Sequence, residues 1–166
     1  MQTLKLTSKD FKQSDSYYKD YIGKTDVSDF DGNIEIEGGL GYTKFNSLKA
    51  KGYILAEAGS GIEAGDGIEA GSGIKAGWGI KAGLTITCKL TLKVAYRIFA
   101  GICHWRKNVE DTDKTVTCGK LEGHIEYGIL NETGLPEQKV KEDMVEIDGK
   151  KWSKETIKEA LKNHVG

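Results

Sequence analysis

Residues 59–100 read GSGIEA GDGIEA GSGIKA GWGIKA GLTITC KLTLKV AYRIFA when they are divided into blocks of six. Every block carries an aliphatic residue at its fourth position and a small or apolar residue at its sixth position. The aliphatic anchors keep this phase through all seven blocks: Ile62, Ile68, Ile74, Ile80, Ile86, Leu92 and Ile98. A hexapeptide repeat this strict is typical of a solenoid, in which each repeat packs on its neighbours.

The residue between the two apolar positions of a block is mostly polar, as in Ile62-Glu63-Ala64. This in–out–in alternation is the period of a short β-strand. An α-helix needs apolar residues at three- and four-residue spacing, and glycines at this density would each cost it about 1 kcal/mol. A flexible glycine-rich linker is the alternative, but a linker has no reason to keep an aliphatic residue in phase.

Three blocks are expected to close one triangular coil of about eighteen residues, because each block supplies one strand and one corner. Residues one coil apart then stack, so that Ile62 lies on Ile80 and Ile80 on Ile98. The anchors of the other two columns stack in the same way. The sequence therefore predicts an all-β fold, a right-handed parallel β-helix whose core is the set of anchors.

The outer surface of the predicted coil combines charged rows with glycine-rich strips. Glu63 is expected to lie over Lys81, a favourable pair, whereas Lys75 lies over Lys93, an unfavourable one. The glycines are expected at the corners, where they take positive φ without steric cost and leave the outer face flat. Such a face predicts a lateral contact through residues 65–83.

Weaker copies of the repeat flank the strict run, with longer corners where the spacing slips. Upstream copies include GNIEI and GYILA, and downstream copies include GHIEYGIL. They extend the predicted solenoid to residues 23–131. A polar segment at 104–115 interrupts the pattern, and we expect it to form a loop or hairpin excursion.

The N-terminal segment, residues 1–22, is predicted to form a helical cap. Thr7 or Ser8 supplies an N-cap signal, and Phe11, Tyr18 and Tyr21 are expected to share the inner face of the helix. Solenoids need such caps because their terminal coils expose unpaired strand edges. Two capped ends argue against polymerisation into a filament.

The last part of the chain is predicted to form a separate small module. Residues 132–143 are polar and contain the only proline, which indicates a linker. Residues 144–166 then predict a β-hairpin followed by a helix. Asp148-Gly149 between two strand-like runs is a strong hairpin signal, and Ser153 is placed to cap the helix.

The unit Gly61-Ile62-Glu63-Ala64 resembles the repeat of the bactofilins, which are polymer-forming β-helical proteins. The longer run that includes AGWGIKAGLTITC and RIFAG is similar to β-helical proteins of low-GC bacteria and their phages. The likeness covers residues 22–130, and the C-terminal run resembles a small module that recurs on phage proteins. These resemblances imply a β-helix that acts by binding or by self-assembly.

Composition excludes several classes of function. The chain has 166 residues and a formal net charge of −1, which does not suit a strongly basic nucleic-acid binder. Arg97 and Arg106 are the only arginines, so bidentate phosphate readout is not expected. No run approaches the ~20 apolar residues of a membrane span. Three cysteines without a CxxC motif favour a reduced, cytoplasmic protein.

Catalytic, cofactor-binding and metal-binding chemistry is not predicted, so we expect no enzyme activity and no cofactor. The histidines are scattered, and Cys103 and His104 are adjacent residues that would point to opposite faces of a strand. A zinc site could draw on Cys88, Cys103 and Cys118, but Cys88 occupies an inner position where a thiol acts as a small apolar group. A degenerate acyltransferase-like solenoid is the enzymatic alternative.

Two aromatic groups are candidate protein-binding residues, and each has a structural alternative. Trp78 and Tyr96 occupy the same column and either form an interaction hot spot or fill the core of wider late coils. A second patch either binds a partner or forms a satellite core under the excursion: Phe99, Trp105, Arg106 and Lys107. Lys75 and Lys81 are expected near the lateral contact.

The sequence therefore predicts a protein that binds other proteins. Its resemblance to phage proteins implies a phage or prophage accessory protein that binds and inhibits a protein in the cytoplasm of its bacterial host. A nucleoprotein effector of a CRISPR defence system is one such target. We also expect a homodimer, the commonest closed oligomer of a soluble chain. A bactofilin-like self-assembling structural protein is the alternative.

Overall fold

Residues 1–136 form an all-β fold of short, regularly spaced strands in the computed structural model, which describes residues 1–136, 144–147 and 150–153. The strands of the first half are β1 Gln2–Leu6, β2 Phe11–Gln13, β3 Tyr18–Tyr21, β4 Gly32–Ile36, β5 Gly41–Phe45, β6 Leu48–Ala50, β7 Ile54–Ala56 and β8 Ser60–Ala64. The next strands are β9 Ile68–Ala70, β10 Ile74–Ala76, β11 Ile80–Ala82, β12 Ile86–Cys88, β13 Thr91–Ala100, β14 Thr115–Cys118, β15 Lys120–Tyr127 and β16 Ile129–Glu132.

The strands stack in three ladders of parallel neighbours, which gives a solenoid-like architecture. The first ladder contains β1, β4, β7, β10 and the beginnings of β13 and β15. The second contains β3, β5, β8, β11 and the ends of β13 and β15. The third contains β6, β9, β12, β14 and β16. The chain visits the three ladders in turn, and β13 passes the corner between the first two as one strand.

The core is the column of inward side chains along each ladder. Ile62 pairs with Ile80 and Ile80 pairs with Ile98, so one coil of the strict run spans three hexads, as the phase of the anchors predicts. All seven anchors of the strict repeat are at most 1% exposed. The small residues two positions later are buried beside them, because a narrow corner has room only for a side chain of that size.

The coils that precede the strict run are longer. In the first ladder Ile34 pairs with Ile54 and Ile54 with Ile74, and each of these steps exceeds three hexads. The additional residues lie at the corners, and the register of inward and outward side chains is kept. Strand period rather than block length therefore holds the ladders in register.

The corner glycines act by allowing close approach between coils, and within the strict run the predicted positive φ is present only at its first residue, Gly59. The glycines with positive φ are Gly39, Gly41, Gly59, Gly101, Gly128 and Gly134. A Cβ at Gly71 would overlap the carbonyl oxygen of Lys51, and one at Gly83 would overlap that of Gly65. A Cβ at Gly77 would likewise overlap the carbonyl oxygen of Glu57, so a larger residue at Gly71 or Gly77 is expected to disturb the packing of neighbouring coils. These glycines therefore do not form a free flat face.

The N-terminal helical cap predicted for residues 1–22 is wrong. The backbone N–H of Thr7 donates to the Asp10 carboxylate at 2.8 Å, but the cap closes only one 3₁₀ turn, Ser8–Asp10. β1 instead joins the first ladder, and β2 pairs antiparallel with β3. Strand pairing wins because a short isolated helix is marginal, whereas an edge of the solenoid offers ladder hydrogen bonds.

The polar segment that follows β13 leaves the ladders, and a second 3₁₀ turn, Asp111–Lys114, leads back into β14. The chain divides after Pro136 into two units, which are described separately. In the second unit β17 Met144–Ile147 pairs antiparallel with β18 Lys150–Ser153. The predicted linker lies mostly outside the described residues. The predicted helix after Ser153 and the Asp148-Gly149 turn lie wholly outside them.

Candidate functional site

The outer side of the second ladder carries a row of charged and aromatic side chains. Alternation along each strand places this row opposite the buried column that contains Ile62, Ile80 and Ile98. The pairing register runs through Asp20, Lys44, Glu63, Lys81, Phe99 and Tyr127. This outer side is therefore neither uniformly polar nor flat.

A stack of three aromatic rings lies beside this row. The ring centroids of Tyr18 and Tyr42 are 5.5 Å apart, those of Tyr42 and Trp78 are 5.2 Å apart, and both pairs are stacked. The ring of Tyr42 lies across Gly61 and Gly79, where a Cβ would meet the Tyr42 ring or its hydroxyl. The glycines of the strict repeat thus give the Tyr42 ring a place to lie on the outer surface of the ladder.

Lys81 ties the rings to the charged row. Its Nζ donates to the Tyr18 hydroxyl at 2.6 Å, lies 4.3 Å from the Tyr42 ring centroid, and lies 3.7 Å from a Glu63 carboxylate oxygen. Lys44 reaches the same carboxylate at 3.8 Å. The predicted pairing of Glu63 with Lys81 is present, and it belongs to a larger network.

Burial and hydrogen bonding act in opposite directions on Lys81. Partial burial lowers its pKa, but the hydrogen bond with Tyr18, helped by Tyr42 and least by Glu63, outweighs burial and leaves the pKa raised. Burial also raises the pKa of Tyr42. At neutral pH the surface therefore presents an ammonium group held against neutral aromatic rings, a geometry that favours cation–π attraction.

Trp78 and Tyr96 lie at one corner of this surface. The backbone N–H of Tyr96 donates to the Trp78 carbonyl at 3.3 Å. Trp78 is half-buried against Tyr42, and Tyr96 is 62% exposed. We call Tyr18, Tyr42, Trp78, Lys81 and Tyr96 the aromatic–lysine surface.

The other candidate residues lie elsewhere, apart from Phe99, which is half-buried and pairs in register with Lys81. Lys75 lies on the outer side of the first ladder, in register with Lys93. Trp105, Arg106 and Lys107 are exposed on the excursion.

Two of these residues, Arg106 and Trp105, make contacts within the excursion. Arg106 donates to Asp113 at 2.8 Å and lies 5.2 Å from the ring centroid of Trp105. The excursion therefore has its own aromatic and basic group, separate from the aromatic–lysine surface.

Tyr18, Tyr42 and Lys44 are members of the network that the sequence did not indicate. They lie upstream of the strict repeat, and Thr43 pairs with Ile62 across a step that is not a whole number of hexads. A usable signal was present all the same. Tyr42 is at an outward position one coil before Gly61, and Gly79 follows one coil later. Because these glycines have no side chains, the Tyr42 ring can lie flat on the strands that contain them.

The thiols lie in two different environments. Cys88 and Cys118 are buried at inner positions of the third ladder, and Cys103 is half-buried near the excursion. Burial raises the pKa of Cys88 to about 11 and also raises the pKa of Cys118. Within the described ranges no group of three histidine, cysteine or acidic side chains is placed to hold a metal ion.

One concavity of about 700 Å³ lies beside the end of β3. Asp20, Asp26 and Asp66 contribute to its wall together with Lys44 and Tyr21. The lining residues include neither histidine nor cysteine. The wall therefore offers carboxylates, hydroxyls and one amine, and the Ser28 hydroxyl and backbone N–H both donate to the Asp26 carboxylate, at 2.7 and 2.8 Å.

Comparison with known proteins gives no match to a family model, a curated protein or a solved structure. In the parts of the chain that the structure describes, no helix is long and apolar enough to cross a membrane.

Proposed function

We propose that this chain is a non-enzymatic binding protein that contacts a protein partner through the aromatic–lysine surface. The observation that carries the proposal is the stack of Tyr18, Tyr42 and Trp78 on the outside of a ladder whose inner column, with Ile62, Ile80 and Ile98, is buried without these rings. Tyrosine and tryptophan are enriched among the residues that dominate binding energies.

The surface is also preorganised for binding. Its rings lie on paired strands, and Lys81 is held by Tyr18 and Glu63 rather than moving freely in solvent. Binding to such a surface orders few side chains, so little conformational entropy is lost on association. Tyr96 supplies exposed aromatic area at the rim of the stack.

The partner that we propose is a protein of a bacterial host, with this chain acting as a phage or prophage accessory protein that inhibits it in the cytoplasm. The similarity of the glycine-rich run to phage β-helical proteins supports this proposal. A CRISPR effector is one candidate target. The net charge of −1 supports contact with the protein part of such a target rather than with its nucleic acid.

Two finer features of the architecture belong to the same proposal. We propose that the coil is right-handed, as the resemblance to bactofilins implies, and that the chain forms a homodimer. Handedness also follows the strong preference for right-handed crossovers between parallel strands. A crystal structure tests both features.

The experiment compares variants of the immobilised full-length chain in capture from a lysate of a low-GC host. Tyr96→Ala removes exposed aromatic area without touching the core, and Trp78→Ala removes the end of the stack. Each is expected to weaken binding of the captured protein about tenfold or more. Trp105→Ala is the matched control, because it removes an exposed aromatic side chain outside the surface.

Thermal melts of each variant separate loss of binding from loss of folding. Equal binding by the wild type, Tyr96→Ala and Trp78→Ala would contradict the proposed surface. A wild-type chain that retains no host protein would contradict the proposed partner class.

Self-assembly of the bactofilin kind is the second candidate function, and one observation favours it. The last coil of residues 1–136 leaves strand edges and aliphatic side chains uncovered, as coil-to-coil stacking requires. Electron microscopy distinguishes the two functions, because self-assembly predicts extended polymers and the binding function predicts discrete particles.

A further inference from the structure

The C-terminal coil of residues 1–136 exposes the end of the hydrophobic core. Its anchors, Leu121, Ile125 and Leu130, continue the three inward columns. Leu130 is 45% exposed, whereas Val116, directly beneath it in the third ladder, is fully buried. Exposed apolar residues also concentrate next to it: Tyr127, Ile129 and Leu135.

The same coil has free strand edges. Among the described strands β15 pairs only with β13, and β16 pairs only with β14. The Leu121 N–H on this edge donates to the Glu132 carboxylate at 2.9 Å, and the edge pairs with no further described strand. Such an edge, lying beside exposed aliphatic side chains, is a template for another strand. Backbone hydrogen bonding and apolar burial therefore call for the same kind of occupant, a strand-forming surface with its own aliphatic centre.

We propose that the occupant is a second copy of this chain, stacked end to end on this coil across a two-fold axis. Such an axis reverses strand direction, so the edges meet as antiparallel pairs. If it passes through the corner at Gly123, residues 120–122 face residues 124–126 of the partner subunit, and β16 faces its own copy. This inference rests on the proposed homodimer and assigns its interface.

Charge and chemistry match in this arrangement. Lys120 lies opposite Glu126 of the partner subunit, and Glu122 lies opposite His124 of the partner subunit. Within one chain Lys120 also pairs with Glu122, and Glu126 with Arg97, so the contacts across the axis extend these ion pairs. Leu121 meets Ile125 of the partner subunit on the inner side, so the aliphatic column continues from one chain into the next. A copy of the same coil also has the same triangular outline, which other occupants would need to imitate.

The opposite end explains why association stops at two copies. Leu6, Phe11 and Val27 are buried there, and the antiparallel β2 ends the second ladder. The rings of Phe11 and Tyr21 pack edge to face, with centroids 5.7 Å apart, over the end of the column. Among the described strands β1 pairs only with β4, so it keeps a free edge, but its inward residue Leu6 is buried. One end with an exposed core and one end with a covered core favour a closed dimer over a filament.

The test measures the mass of the full-length chain by light scattering at tens of micromolar. The wild type is expected at about twice the chain mass of 18.2 kDa. Leu130→Lys is expected to be a folded monomer. The matched control is Ile22→Lys, which places the same charge at an exposed aliphatic residue at the opposite end of residues 1–136 and should remain dimeric.

A charge exchange tests the placement of the axis. Lys120→Glu and Glu126→Lys should each weaken the dimer about tenfold or more, and the double variant should restore it. Independently, Asn131→Cys in a Cys103→Ser background should give a disulfide-linked dimer on treatment with diamide. Thr87→Cys lies on the same ladder at an outward position of a middle coil, away from the proposed interface, and should give no disulfide-linked dimer.

Several outcomes would overturn this inference: a monomeric wild type, a polymer, or a dimer that survives Leu130→Lys. Amide protection of β16 in a monomeric wild type would instead show that the chain covers this edge by itself. The proposed binding function fails separately, because Leu130→Lys leaves the aromatic–lysine surface unchanged and should still capture the host protein.

Discussion

The two ends of the solenoid solve the same physical problem in opposite ways. At the N-terminal end aromatic side chains and an antiparallel strand cover the core, and Phe11 is buried. At the C-terminal end of residues 1–136 the column finishes at Leu130, which is almost half exposed. The difference shows that capping does not require a helix, and the uncovered end is the contact that we propose.

The largest expected effect is the difference in stability between an aspartate in the middle of the buried column and one at its open end. Ile80→Asp should destabilise the chain by more than about 4 kcal/mol, because it buries a carboxylate with no partner. Leu130→Asp should leave the monomer folded, since water reaches that position. Circular dichroism and thermal melts of both variants measure this difference. A normal melt for Ile80→Asp would remove Ile80 from the core.

The closed end should depend on its aromatic plug. Phe11→Ala is expected to cost about 3 kcal/mol, because it removes a ring that packs on both Tyr21 and Phe45. Leu135→Ala at the open end should change stability by less than about 0.5 kcal/mol. Urea denaturation gives both values, and equal losses would show that the two ends are covered alike.

Two glycines between the ends, Gly83 and Gly65, distinguish two reasons for a glycine. One is close contact between coils, and the other is the conformational freedom of the backbone. Gly83→Ala should cost about 2 kcal/mol, because the new Cβ overlaps the carbonyl of Gly65 on the preceding coil. Gly65→Ala is its matched control, since the nearest atom there is 3.4 Å away. That variant should be neutral or slightly stabilising. Similar denaturation midpoints for the two variants would contradict the role of contact between coils.

The smallest effect concerns local opening of the two buried thiols. In a Cys103→Ser background Cys118, in the coil next to the open end, should react with iodoacetamide a few times faster than Cys88. The pKa of Cys88 is raised to about 11, so its thiolate fraction and its rate should rise about tenfold between pH 8 and pH 9. Mass spectrometry of the alkylated peptides measures both rates. Faster reaction of Cys88 would show that the coils farther from the open end unfold locally more readily than the coil next to it.

The strict repeat made its part of the fold predictable. Ile62, Ile80 and Ile98 are chemically equivalent and evenly spaced, so their stacking follows from strand period alone. The N-terminal segment was not predictable in the same way. Its cap signal at Thr7 is local and genuine, whereas the pairing of β1 with β4 depends on residues that are distant in the chain. Tertiary pairing overrides a local signal of that strength.

The candidate site was predictable only where it overlaps the repeat. Trp78 and Lys81 interrupt or decorate a regular pattern, so they are visible in the sequence. Tyr42 is not, because its neighbour Thr43 occupies an inner position without being aliphatic. The Thr43 hydroxyl donates to the carbonyl of Gly61 at 2.9 Å, and this hydrogen bond makes the buried polar group acceptable.

The excursion between β13 and β14 has a consequence for how this architecture can change. The step from Ile86 to its partner Val116 is much longer than the step from Ile68 to Ile86, because the excursion lies within it. The third ladder nevertheless keeps its register, so the additional segment is absorbed at one corner without moving a core side chain. Corners of this solenoid can therefore accept inserted peptides as long as the excursion, by natural duplication or by engineering, while the ladders on either side continue to pair.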